Sequence, residues 1–224
     1  MKELTKWQLA SPRKGDKHML DQEFLDKILH NYRALEGEQE TKNNMIEPLL
    51  HELGYDIDCI EDVRTEVLCD AGKNNEKVDY VLCMAGKPII MIEAKDWKEE
   101  LEPKYINQLF RYFSTSDCKL AILTNGLEYL FFTDLKKENI MDKTPFYRLD
   151  IRYLKDSDRE MFKKICKVQQ CSYPINKYIM EMKVKSFLNK KHLVAEILAM
   201  YYFHDPDLKD VVYNAMEIQE KKGG

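Results

Sequence analysis

The sequence predicts an α/β fold: a mixed β-sheet flanked by helices, with a helical C-terminal extension. Three observations predict it. Val78 to Met84 is rich in β-branched and aromatic residues, and after Ala85-Gly86-Lys87 the run Pro88 to Ile92 is continuously apolar, as in a strand buried on both faces. Ahead of this pair, apolar residues recur at helical spacing in two stretches. Behind it, a helical segment separates the pair from two more strand-like runs, giving the order βββαββ after leading helices. The boundaries drawn from this pattern are residues 1–150 for the α/β domain, with its core at about 38–135, and 151–224 for the extension.

Taken in order, residues 1–16 are polar and broken by Ser11-Pro12 and Gly15, a loose lead-in. From about His18 to Leu35, the stripe Phe24, Leu25, Ile28, Leu29 and Tyr32 predicts an amphipathic helix ended by Gly37. A second helix is expected from about Glu38 to Leu53, with Met45, Ile46, Leu49, Leu50 and Leu53 inward, Gly54 closing it, and a kink near Asn44 because Pro48 removes a backbone donor. Val63 to Cys69 alternates as a strand, and Asp70 to Glu76 is a polar turn. Asp96 to Glu102 is a charged loop, and Pro103 suits the first turn of the next helix. Lys119 to Thr124 and Glu128 to Thr133 form a hairpin around Asn125-Gly126, and 145–153 is a linker or an edge strand. Helices are expected at about 156–170, 175–189, 191–203 and 206–221.

The chemistry sits where the apolar run Pro88–Ile92 stops at Glu93-Ala94-Lys95. Alternation puts Met91, Glu93 and Lys95 on one face. A three-residue connection 85–87 pairs Met84 with Pro88 and brings Asp79 opposite Glu93, with Cβ atoms roughly 4.5–5.5 Å apart. Two carboxylates that close repel unless a cation or a proton lies between them. The same residues also fit a solvated strand end with no chemistry, so the pattern alone leaves both readings open.

Asp79, thirteen intervening residues and then Glu93-x-Lys95 after an apolar strand resembles the PD-(D/E)xK nuclease core. More narrowly, residues from about Glu38 to Leu135 resemble the nuclease domain at the N-terminus of type I restriction enzyme R subunits. The resemblance implies a restriction-endonuclease-like sheet and a metal-dependent endonuclease acting on DNA in restriction or defence. It implies Asp79, Glu93 and the backbone carbonyl of Ala94 as metal ligands, Mg²⁺ as the cofactor with Mn²⁺ as a substitute, and Lys95 as the partner of the attacking water. The stretch Glu40-Thr41-Lys42 through Leu53-Gly54-Tyr55 is similar to the family's first core helix, where a Glu reaches toward the metal; Glu40 is the match, with Glu47 the fallback. Gln108 and Tyr112, four apart on one helix face and following Lys95 closely, resemble the QxxxY helix that flanks the active site and touches DNA. Other restriction-system subunits are partners of that family.

Composition narrows the field around this reading. The chain has 224 residues, 44% hydrophobic and 33% charged, ordinary for a soluble globular domain that buries its own core. No stretch approaches a membrane span, and the N-terminus has no apolar core of a secretory signal. The six cysteines form no CxxC pair and read as buried reduced thiols of a cytoplasmic protein, and the scattered histidines build no zinc site. The net charge of −4 argues against a general nucleic-acid coat, although residues 155–192 carry ten basic against four acidic residues. That excess reads either as a solvated helix surface or as a phosphate grip. There is no GxxxxGK[ST] loop, so the chain is expected to be a free-standing nuclease of the family or a fragment, not a whole motor subunit. Two function classes stay open: the metal-dependent nuclease, whose substrate includes DNA, branched DNA or RNA, and a non-catalytic nucleic-acid- or protein-binding module on the same fold.

Overall fold

Among the described residues, six strands form one mixed sheet in the order β1 to β6, each beside its sequence neighbours. The computed structural model describes residues 20–68, 77–167 and 175–188. The strands are β1 (Val63–Leu68), β2 (Lys77–Met84), β3 (Lys87–Ala94), β4 (Leu120–Thr124), β5 (Glu128–Phe132) and β6 (Tyr147–Asp150). All neighbours are antiparallel except β3 and β4. A parallel pair needs a long crossover, and the connection between β3 and β4 contains a helix, Pro103–Thr115. The ambiguous segment 145–153 is thus an edge strand followed by a 3₁₀ turn, Ile151–Tyr153.

The β2–β3 hairpin differs from the expected one in an instructive way. Met84 pairs with Lys87, not with Pro88, so the turn is the two residues Ala85-Gly86. Both have positive φ (50° and 73°), the signature of the primed turn that matches strand twist. Further in, the register shifts: Cys83 faces Pro88 while Leu82 faces Ile90, leaving Ile89 as an extra residue in a bulge. The bulge restores the offset that a three-residue loop would have given, so Tyr80 faces Ile92 as the sequence predicted.

The helices before the sheet are shorter and less regular than their stripes suggested. The first, α1 (Gln22–Leu29), is capped by Asp21, whose side chain accepts from the Phe24 amide. It stops well before Leu35, and Tyr32–Ala34 is a 3₁₀ turn. There Tyr32 meets the Trp97 ring edge-to-face at 5.1 Å, and the Leu35 carbonyl accepts from Trp97 Nε1 at 3.0 Å. The second runs as α2 (Gly37–Thr41), a π-helical turn (Lys42–Ile46) and α3 (Glu47–Glu52). Pro48 has no N–H for the Asn44 carbonyl, and the chain answers by widening ahead of it, the Glu47 amide donating to the Lys42 carbonyl.

Each sheet face carries its own core. On one, Tyr80, Leu82, Ile90, Ile92 and Phe131 pack with Met45, Ile46, Leu49 and Leu50 and with Phe162, Ile165 and Ile179 of the C-terminal helices. On the other, Val81, Met91, Leu123 and Phe132 pack with Leu109, Tyr112 and Phe113 of the crossover helix, α4 (Pro103–Thr115). The C-terminal helices in the described residues are α5 (Asp156–Ile165) and α6 (Ile175–Leu188). They contribute to the same core as the sheet, and the Tyr55 hydroxyl donates to the Ile165 carbonyl at 2.8 Å. The lead-in 1–16, the turn 70–76 and the helices expected at 191–203 and 206–221 lie outside the described residues.

Candidate active site

The end of β3 and the start of α2 meet in a cluster of carboxylates and lysines. Pairing of β2 with β3 ends at Tyr80 and Ile92. One residue beyond, the side chain of Asp79 takes over from the backbone: its Oδ2 accepts from the Ala94 amide at 2.7 Å. That bond fixes the carboxylate where the ladder opens. Its other oxygen, Oδ1, accepts from Lys42 Nζ, which also lies 2.9 Å from Glu38 Oε1. Glu38 Oε2 is 3.5 Å from Lys95 Nζ, and Lys95 donates to Glu93 Oε1 at 2.7 Å. Asp79, Lys42, Glu38, Lys95 and Glu93 therefore form one connected chain of charges.

Burial decides how these groups behave. Glu93 is 2% exposed and Asp79 8% exposed. Desolvation, reinforced by the Asp79 charge and opposed by Lys95, pushes the Glu93 carboxyl up to about 7. Burial also raises Asp79, against the pull of Lys42 and the Ala94 amide. Burial alone would lower Lys95, but the adjacent Glu93 outweighs it and leaves the ammonium firmly protonated. Glu93 Oε2 is buried and has no hydrogen-bond partner among the described residues. A buried carboxylate oxygen left unpaired is costly, which marks it as an acceptor awaiting a cation or a proton.

The surroundings hold the cluster still. Lys95 N donates to the Thr124 carbonyl at 2.8 Å, tying the end of β3 to β4. Lys95 Nζ lies 5.2 Å from the centre of the Tyr105 ring on α4. Trp97 N donates to Thr41 Oγ1 at 3.2 Å, and Asn125 Nδ2 donates to the Glu99 carbonyl at 2.9 Å, so the loop after Lys95 is fixed at two points. Gly126 has φ +81°, and a Cβ there would stand 3.1 Å from Met45 and Thr41, so the β4–β5 turn presses directly on the π-helical turn that carries Lys42.

Of the residues expected to form the site, Asp79, Glu93, Ala94 and Lys95 come together. Glu40 does not: it is exposed, and its Oε2 accepts from the Glu36 amide at 2.7 Å, at the start of its own helix. Glu47 accepts from the Tyr80 hydroxyl at 2.9 Å instead. The helix carboxylate that reaches the cluster is Glu38, and the missed cation is Lys42. Their i,i+4 spacing was the available signal, since it puts both on the side of the helix that the sheet's acids face. A further acid, Glu66 on β1, lies 3.8 Å from Lys42 and holds a left-handed backbone, φ 53°. Such strain in a non-glycine residue is concentrated at functional sites.

Gln108 belongs to α4, with its side chain outside the described residues. Tyr112 is packed into the core under α4 instead of standing open in a groove. Among the described residues of 155–192, five of the basic side chains have partners that are folded into the structure. Arg159 donates to the Leu20 carbonyl, Lys167 pairs with Asp62, Lys163 with Glu160 and Lys183 with Asp134, and Lys164 lies over the Tyr178 ring. Lys190 and Lys191 lie outside the described residues.

Comparison with known proteins bears on this geometry. Residues 37–145 match the family described as the type I restriction enzyme R protein N terminus. The likeness to R-protein N termini is thereby shown. The matched segment begins at the first residue of α2 and contains the whole charge cluster. No curated protein sequence matches the chain significantly. A solved structure titled as the cryoEM structure of a DrdV–DNA complex aligns at a TM-score of 0.41 with 13% identity, covering 75% of this chain and 16% of the other. The chain thus spans about 16% of the length of that solved structure. Among the described residues no helix is long and apolar enough to cross a membrane.

Proposed function

We propose that the chain is a metal-dependent endonuclease of the PD-(D/E)xK type, hydrolysing phosphodiester bonds of DNA in restriction or defence. The observation that carries the reading is the buried, unpaired Glu93 Oε2 beside Asp79 and Lys95, inside the segment that matches R-protein N termini. Among the described residues no three acidic, histidine or cysteine side chains converge into a ready-made cage. The donor set is instead two carboxylates and a backbone carbonyl, all hard oxygens, which fits Mg²⁺ because that ion keeps several of its own waters. Asp79, Glu93 and the Ala94 carbonyl would hold the ion, and bound there it supplies Lewis-acid polarisation of the phosphate. Mn²⁺ shares those ligand preferences and would substitute.

The chain's own residues supply the rest. Lys95 is held by Glu93 at 2.7 Å and by Glu38 at 3.5 Å, so its ammonium is positioned to orient the attacking water and to stabilise the extra negative charge of the pentavalent phosphate. Glu38 positions Lys95 and Lys42 at once. Along α4, Lys104, Lys143, Asn107 and Phe110 line an open groove of about 570 Å³, two cations and an aromatic ring suited to phosphate and base. The domain division at residue 150 is retained in this reading only as a division of function: 1–150 carries the site, and the described helices that follow, α5 and α6, pack against the sheet core.

Plasmid nicking by the purified chain with Mg²⁺, with Mn²⁺ and with chelator tests the proposal. Metal-dependent nicking that disappears in Asp79→Asn, Glu93→Gln and Lys95→Ala is the expected result. Nicking equal in all four preparations would overturn it. A wild-type chain that binds DNA without cutting it would favour the non-catalytic module, a reading to which the Lys42–Asp79 pair gives some substance.

A further inference from the structure

Lys42 is the unexplained member of the cluster. It is 7% exposed, and a buried ammonium is expensive unless each donor finds a partner. Its partners are all carboxylates: Asp79 Oδ1, Glu38 Oε1 at 2.9 Å and Glu66 Oε1 at 3.8 Å. Both oxygens of Asp79 are thereby engaged, because the other one already accepts from the Ala94 amide at 2.7 Å. Glu93 presents the opposite case, with Oε2 buried and without a partner among the described residues. One half of the oxygen donor set is waiting, and the other half is occupied by a cation that belongs to the chain itself.

We propose that Lys42 is the resident counter-cation of Asp79, and that a divalent metal ion enters the site by displacing it, so that Lys42 sets the metal affinity. The inference rests on the metal-site reading of Asp79 and Glu93 given above. The displaced ammonium has a route out. Lys42 is the first residue of the π-helical turn, where the helix is already widened, and Glu66 stands next to it with a side chain 56% exposed. Moving from Asp79 toward Glu66 and Glu38 lets Lys42 keep anionic partners while it regains water. The strained backbone of Glu66 is consistent with a residue kept in place for its carboxylate and not for the regularity of β1. The exchange replaces one positive charge by two among four acids (Glu38, Glu66, Asp79 and Glu93), which favours the divalent ion once it is abundant. At low metal concentration the lysine keeps Asp79 paired.

Isothermal titration of Mg²⁺ and of Mn²⁺ into the full chain reads the effect directly. Lys42→Met removes the competitor and should bind metal at least about tenfold more tightly, whereas Lys42→Arg keeps the charge and should bind no more tightly than wild type. A Lys42→Met chain that binds metal equally or more weakly overturns the proposal. Loss of that ammonium could also unfold the metal-free chain, so a measurement on the unaltered protein is paired with it. Acetic anhydride labelling, quantified by mass spectrometry, should modify Lys42 several-fold faster with saturating Mg²⁺ than with chelator. Labelling that is unchanged or slower with metal overturns the displacement. If neither chain takes up metal, the displacement falls together with the metal site; if wild type binds metal and Lys42→Met gains nothing, the displacement alone falls.

Discussion

Replacing Glu93 by Gln changes stability in a way that depends on pH. Glu93 is pushed from about 4.5 to about 7, chiefly by burial. Its folded-state affinity for a proton therefore exceeds its unfolded one. Between those two values the native chain holds a proton that the unfolded chain has released, so stability falls as pH rises through this window and levels off above about 8. At about 1.4 kcal/mol for each tenfold, the full window is worth roughly 3 kcal/mol. Gln keeps the shape of the side chain and an oxygen for Lys95 to donate to, but it has no proton to lose. Urea denaturation of wild type and Glu93→Gln at about pH 5, 6.5 and 8.5 with chelator present measures the difference. Relative to wild type, the variant should gain up to about 3 kcal/mol between the lowest and the highest pH, because both chains share every other titratable group. A difference independent of pH would refute the reasoning, since it would mean that Glu93 ionises as an ordinary surface acid.

Other perturbations separate scaffold from site. Gly126→Ala must place a Cβ 3.1 Å from Met45 and Thr41 at a φ of +81°, so a loss of about 1–3 kcal/mol in urea denaturation is expected. Lys183→Met should cost about 3–5 kcal/mol, because it strips a buried Asp134 of a cation 2.8 Å away; a loss under about 1 kcal/mol would show that α6 is not held to the sheet domain by this pair. Tyr112→Ala should lower stability by about 3–5 kcal/mol, as truncation of a core aromatic does, with any change in DNA affinity following from that loss. A melting temperature unchanged by Tyr112→Ala would instead place the ring outside the core.

Strand identity was legible because burial writes itself into composition. Val78–Met84, Pro88–Ile92 and Leu120–Thr124 are apolar for the reason that both sheet faces are covered, and that pattern survives any error in the loops. The hairpin shows the limit. A three-residue loop and a two-residue loop with a bulge place Asp79 at the same level as Glu93, and the sequence does not distinguish them, since Ala85-Gly86 and the extra Ile89 leave no compositional mark. The helix end of α1 was illegible for a related reason. The chain beyond it is held by Trp97, which is distant in sequence and donates to the Leu35 carbonyl.

The site was half legible, and the half that was missed is the half supplied by a helix. Asp79 and Glu93 lie on strands and Lys95 immediately follows one, so spacing translates directly into position. Glu38, Glu40 and Lys42 lie where an α-helix passes into a π-helical turn, and there each residue's facing depends on where the extra backbone step falls. Glu40, adjacent to the motif, reaches back to the Glu36 amide, while Glu38 and Lys42, one turn apart, face the strand acids together. A lysine on an amphipathic helix ordinarily points to water, so nothing in the composition of that helix announces a buried ammonium. What announces it is the sheet: two buried carboxylates beside each other need a cation or a proton between them, and Lys95 already donates to Glu93. With Lys95 at Glu93, the cation at Asp79 is Lys42, which the helix brings to the strand acid.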